Sequence, residues 1–249
     1  MPQTNQNQHA EWIRQQLLAA GTPTKAEKVK RYFPAGITTT GAMAADVTVV
    51  INSFRSNNQD LTPEQVLQVS EAVLKKAEYS EEVLVAFGIL NKLVKRNFDD
   101  DLLQRFEYWL EHYASNWAHV DDLCIKTIYQ FFLSRTHLIE TIQPWSHSKV
   151  CWCRRASNVA WVKFIHRPIG SKVYRLDPTR VFENCDRLLR DEDEFVQKSI
   201  GWLLKVTSQH HQAAVLDYVR ENLSRMEKPT LRYALEKVDK ETRAAVIAS

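Results

Sequence analysis

Apolar residues recur along this chain at the three- and four-residue steps of helices. Over 80–93, Val83, Leu84, Phe87, Leu90 and Leu93 fall on one helical face. The same step gives a helix over 11–20 with Trp12, Leu17 and Leu18. A second helix carries Ala26, Val29, Tyr32 and Phe33, a third spans 43–54, and another is carried by Leu123, Ile125, Ile128, Tyr129, Phe132 and Leu133. Further on it predicts a helix through Trp152, Val159, Val162 and Phe164 and one over 191–208, with Phe195, Ile200, Leu203 and Leu204 inside. Start signals agree with the pattern. Thr62-Pro63-Glu64-Gln65 places a capping hydroxyl, a proline at the first helical position and a glutamine three after the cap. Asp177-Pro178 repeats the cap-then-proline signal. The sum is roughly a dozen helices with short links and no strand. Residues 1–10 are polar and predict a flexible tail, leaving 11–249 as a single domain. Such helix pairs bury their faces against their neighbours, which predicts an all-α fold, an α-α superhelix (solenoid) of divergent repeats. A compact bundle is the alternative.

Composition supports the helical reading. Only 6 glycines and 8 prolines occur in 249 residues, too few for a turn-rich β fold. No apolar run approaches the roughly 18 residues a membrane span needs, and the N-terminus has no basic-then-apolar signal, so a cytoplasmic chain without membrane contact is expected. The spacing of Cys124, Cys151, Cys153 and Cys185 matches neither a disulfide framework nor a paired zinc site; reduced thiols and no metal are expected. Net charge is only +3, but it is unevenly spread. Between 145 and 190 ten Lys and Arg face only Asp177, Glu183 and Asp186, an excess suited to a phosphate-bearing partner.

Three segments carry unusual side chains on helical faces. Trp117 and Asp121 are four apart and share a face, an indole beside a carboxylate. Trp152 and Arg155 share a face three apart. In 197–204 a glycine, Gly201, interrupts a helix next to Trp202, where a packing or close-approach reason is expected.

In this order and spacing the segments resemble the DNA alkylation repair family of HEAT-like-repeat DNA glycosylases, the AlkD type. The match lies in W-x-x-V-D at 117–121, W-x-x-R-A at 152–156 and Q-K-x-I-G-W-x-L at 197–204, and it covers about 25–238. The resemblance implies a monomeric, cofactor-free enzyme that excises cationic N3- and N7-alkylated purines, such as 3-methyladenine and 7-methylguanine, from double-stranded DNA in base excision repair. It also implies HEAT-like repeats whose concave face holds the duplex. Carried over by position, Asp121 is the catalytic carboxylate, and Trp117 and Trp202 are the aromatic pair around the lesion's sugar. Arg155 holds the backbone, with Trp152, Arg154, Lys198 and Tyr32 as further DNA contacts.

The chemistry suits these residue types. An N3- or N7-alkylated purine is already cationic, so the leaving group needs no protein acid. The positive charge that develops on the sugar is what a fixed carboxylate and indole faces stabilise. Two departures from the family pattern stand out: the loop over 34–41 is short, with Thr38 where some members carry a longer amide, and Asn116 replaces an aromatic. The alternative is a non-catalytic helical-repeat protein that binds DNA or a protein partner.

Overall fold

The computed structural model describes residues 3–248 and is all-α apart from one small β-hairpin. Its helices are α1 (Gln3–Ala20), α2 (Pro23–Lys30), α3 (Ala44–Asn57), α4 (Pro63–Lys76), α5 (Ser80–Leu90), α6 (Leu102–His112), α7 (Trp117–Asp122) and α8 (Tyr129–Phe132), followed by α9 (Cys151–Val159), α10 (Pro178–Leu188), α11 (Glu194–Ser208), α12 (Gln212–Asn222), α13 (Lys228–Ala234) and α14 (Lys240–Ala248). Contacts divide the chain into two compact units, one ending at Phe131 and one starting at Phe132, where the sequence reading has one domain. No helix among the described residues is long and apolar enough to cross a membrane.

Of the tail expected over 1–10, residues 1–2 lie outside the described residues; from Gln3 on the chain is already helical, in α1. Tertiary partners order this polar stretch. Gln6 Nε2 donates to Gln68 Oε1 at 3.0 Å, His9 meets Phe54 edge-on, and Ala10, Ile13 and Leu17 form the buried stripe.

In the first unit α5 is buried nearly all round, with α1, α3, α4 and α7 packed about it. Even its acidic first turn is covered. Glu82 pairs with Arg14 Nε at 2.9 Å and accepts from the backbone N–H groups of Glu78 and Tyr79. Glu81 accepts from the N–H groups of Thr40 and Gly41 and from the Thr39 hydroxyl, so one carboxylate folds the 34–41 loop. Gly41 closes that loop at φ +82°, where a side-chain Cβ would lie 2.6 Å from Ala26 N and Thr22 O. The predicted caps at Thr62 and Asp177 form; in α4 Thr62 and Gln65 bond reciprocally at 3.3 and 2.8 Å. For α2 the cap is Thr22, and Pro23 takes the first helical position.

The second unit opens with two 3-10 segments, Thr136–Leu138 and Glu140–His147, and its centre is set by α9, α10 and α11. A buried polar ladder fixes their register. Asn184 Nδ2 donates to Ser157 Oγ at 3.0 Å and Asn158 Oδ1 at 2.7 Å, and Asn158 Nδ2 donates to Ser199 Oγ at 2.9 Å. These groups are withdrawn from water, so each unmade bond would cost about 1–3 kcal/mol.

The expectation of no strand also needs correction. Arg167–Ile169 pairs antiparallel with Lys172–Tyr174, Arg167 opposite Tyr174 and Ile169 opposite Lys172. Gly170, at φ +59°, is the first residue of the two-residue link, as a type II′ turn requires.

Candidate active site

The first group of predicted residues sits on α7. Asn116, the departure from the family pattern, caps this helix: its Oδ1 accepts from the N–H groups of Ala118 and His119 at 3.0 and 3.1 Å. His119 then anchors the helix to the start of α5. Its Nδ1 accepts from Ser115 N–H at 3.2 Å, so Nε2 carries the proton and reaches Ser80 O at 3.0 Å and Ser80 Oγ at 2.7 Å. Burial drives the His119 pKa down to about 4, which keeps the ring neutral.

This anchor turns Trp117 and Asp121 to the other side of the helix, one turn apart on a shared face. Both are half-buried. The indole of Trp117 stacks on Phe33, with centroids 5.3 Å apart and planes 13° from parallel, and its Nε1 donates to Tyr32 O at 3.4 Å. Tyr32 therefore meets Trp117 through its backbone, and its side chain is 69% exposed. The ring in contact is Phe33, which the sequence reading counted only as part of an apolar side. The α2 helix itself has no buried residue, and the aromatic just past its end is the ring that finds a partner.

A π-helical stretch, Leu123–Ile128, begins directly after Asp122, a distortion frequent at functional sites. Asp122 lies off the Trp117–Asp121 face. Burial raises its pKa, and it pairs with Lys126 beside a cleft of about 230 Å³ that Arg55 also lines.

Behind α7 lies a larger cavity of about 520 Å³ with Ser80, Asn116 and His119 in its wall. The Ser80–His119 contact resembles a nucleophile and its base. The tautomer opposes that role, since Nε2 is the donor and has no lone pair for the serine proton. The pair holds α7 in place.

The second group lies on α9 and α11. Trp152 packs against Phe195 at 5.9 Å. Arg155, expected to grip phosphate, is buried, and its Nη1 donates to Phe195 O, tying α9 to α11. Arg154, expected as a DNA contact, forms a forked pair with Asp191 at 2.5 and 3.1 Å and donates through Nη1 to Ser148 O and Lys149 O. Both arginines thus bond within the protein, to carbonyls and a carboxylate, those of Phe195 and Asp191 coming from distant sequence. Lys198 is exposed, pairs with Glu194 at 2.6 Å and lies 4.6 Å above the Phe195 ring. Trp202 is half-buried, seven residues from Phe195 and on the same stripe.

Two other residues of the 197–204 block are structural. Gln197 is buried; its Nε2 donates to Leu188 O, Leu189 O and Asp191 O at 3.0–3.2 Å, closing the end of α10. Gly201 is explained by α13 rather than by the indole beside it: an added Cβ would lie 2.9 Å from Tyr233 Cβ and 3.0 Å from Thr230 O. The thiol of Cys151 is pushed up to about 11, by burial first and then by Asp193, and so is a poor nucleophile.

Comparison with known proteins decides the family. The model of the family described as DNA alkylation repair enzyme matches residues 13–238. The chain belongs to that family. Among solved structures it is similar to a predicted DNA alkylation repair enzyme from Enterococcus faecalis, with a TM-score of 0.75, 18% identity, and 88% of this chain and 97% of that one covered. It is also similar to the Pseudomonas fluorescens alkylpurine DNA glycosylase AlkC bound to DNA containing an abasic site analog, with a TM-score of 0.53, 17% identity, and 96% of this chain and 66% of that one covered. At these identities the structures speak to the fold. No curated protein matches the chain.

Proposed function

We propose that this family member is a DNA glycosylase that hydrolyses the N-glycosidic bond of cationic N3- and N7-alkylated purines in duplex DNA. The observation that carries the reading is the face of α7: Trp117, braced by Phe33, with Asp121 one turn on. A stacked indole that cannot rotate freely offers a fixed π surface to a cationic sugar or base, worth about 0.5–2 kcal/mol. Asp121, on a helix clamped by Asn116 and His119, supplies a preorganised negative charge to the oxocarbenium-like centre and orients the attacking water. The departing base is neutral once the bond breaks, so no acid is required. In the second unit Trp202 and Lys198 supply DNA contacts from α11.

Base release from methylated duplex DNA tests this, with 3-methyladenine and 7-methylguanine separated. Asp121→Asn should slow release on the order of 10²–10³-fold while DNA affinity at fixed salt is kept. Equal release by both proteins would remove Asp121 from the mechanism. Lesion-selective binding by wild type without release would make the protein a damage binder.

A further inference from the structure

The hairpin after α9 is the one β element among the described residues, and it is basic. From 163 to 176 the chain carries Lys163, His166, Arg167, Lys172 and Arg175 and no Asp or Glu. Pro168, Gly170, Ser171, Lys172, Val173 and Arg175 are exposed. Neither Lys172 nor Arg175 makes an ion pair among the described residues. The hairpin is anchored at its base, where Tyr174 meets Phe164 edge-on and its hydroxyl donates to Glu140 at 3.3 Å. Such an element is a rigid support for exposed cations.

A pair of stacked histidines adjoins it. Just past the end of α11, His210 stacks on His166 with centroids 4.6 Å apart and planes 11° from parallel. Two parallel imidazoles repel when both are protonated, so the stack takes up charge only with an anion beside it. Burial first, then His210, Arg175 and His211, hold His166 below its ordinary pKa. The acidic neighbours are already engaged: Asp177 caps α10 and faces His211, and Glu140 bonds Tyr174 and lies 3.5 Å from Arg180. The patch lies about 9 Å of helix beyond Trp202 on α11.

We propose that the hairpin residues Lys172 and Arg175, with the His166–His210 stack, form a site for backbone phosphates of the bound DNA strand. The inference rests on the glycosylase reading for its choice of ligand. Binding there is linked to protonation, because a phosphate beside the stacked rings favours their charged form and DNA then binds more tightly at about pH 6 than at about pH 7.5.

The test is anisotropy of an undamaged labelled duplex across a salt series at both pH values. K172A/R175A should reduce the slope of log K against log salt by about 1.8, two phosphate contacts' worth. H210N should flatten the pH dependence while keeping the slope at the higher pH. An unchanged slope in K172A/R175A, with thermal melting like wild type, overturns the site and leaves the glycosylase reading standing. If that variant melts lower, K172E/R175E with a wild-type slope overturns it too. A wild type that binds no DNA overturns both, and the Asp121→Asn comparison of base release tests the glycosylase reading by itself.

Discussion

Gly201 sets two physical effects against each other with opposite signs. It sits within α11, where replacing glycine by alanine in an open helix stabilises by about 1 kcal/mol. If propensity alone governed, G201A would raise stability. The structure places α13 across this point: the new methyl would lie 2.9 Å from Tyr233 Cβ, 3.0 Å from Thr230 O and 3.1 Å from Tyr233 Cδ1. The nearest of these atoms are main chain or bonded to it, so they cannot rotate away. Nor can α13 slide easily, since the Thr230 hydroxyl donates to Gln197 Oε1 at 3.0 Å one turn earlier. Overpacking of this kind costs about 1–3 kcal/mol against a propensity gain of about 1 kcal/mol, which leaves G201A less stable by up to about 2 kcal/mol. In a chain of this size each kcal/mol moves the midpoint by about 2–4 °C. Thermal unfolding by circular dichroism reads the sign directly. A higher melting temperature for G201A would show that α11 and α13 do not approach as described.

Two further outcomes follow from the buried polar groups. Burial lowers the folded-state pKa of His119 to about 4 from 6.5, so its contribution is present above pH 6.5 and is lost as pH falls from 6.5 toward 4, where the unfolded chain takes up a proton that the folded one refuses; the loss reaches about 3 kcal/mol. Urea unfolding across that window should show this acid sensitivity in wild type and a flatter profile in H119Q; equal profiles would count against a neutral buried imidazole. Arg154→Ala leaves the buried Asp191 carboxylate without its forked partner and should cost about 2–3 kcal/mol in denaturant unfolding, yet leave the salt slope of DNA binding unchanged. A slope reduced by about one phosphate's worth would restore Arg154 as a DNA contact.

What is local was legible in the order of residues alone. Helical periodicity gave the all-α class, and the caps at Thr62 and Asp177 were readable because hydroxyl or carboxylate, proline and helix lie within four residues. The pairing of Trp117 with Asp121 on one face followed from helical geometry alone, and three short motifs pointed to the family. The partners came from the folded arrangement. Trp117 finds Tyr32 O across 85 residues, and Arg154 finds Asp191 across 37. No spacing rule reports such meetings, and a charged residue on a helix reads the same whether it awaits phosphate or a buried carboxylate. For that reason the bonds of Arg154 and Arg155 within the protein, the helix from Gln3 and the stacking of Phe33 on Trp117 are decided by the fold and not by local spacing. Local sequence sets which way a side chain can point on its own element; the rest of the fold sets what stands there to meet it.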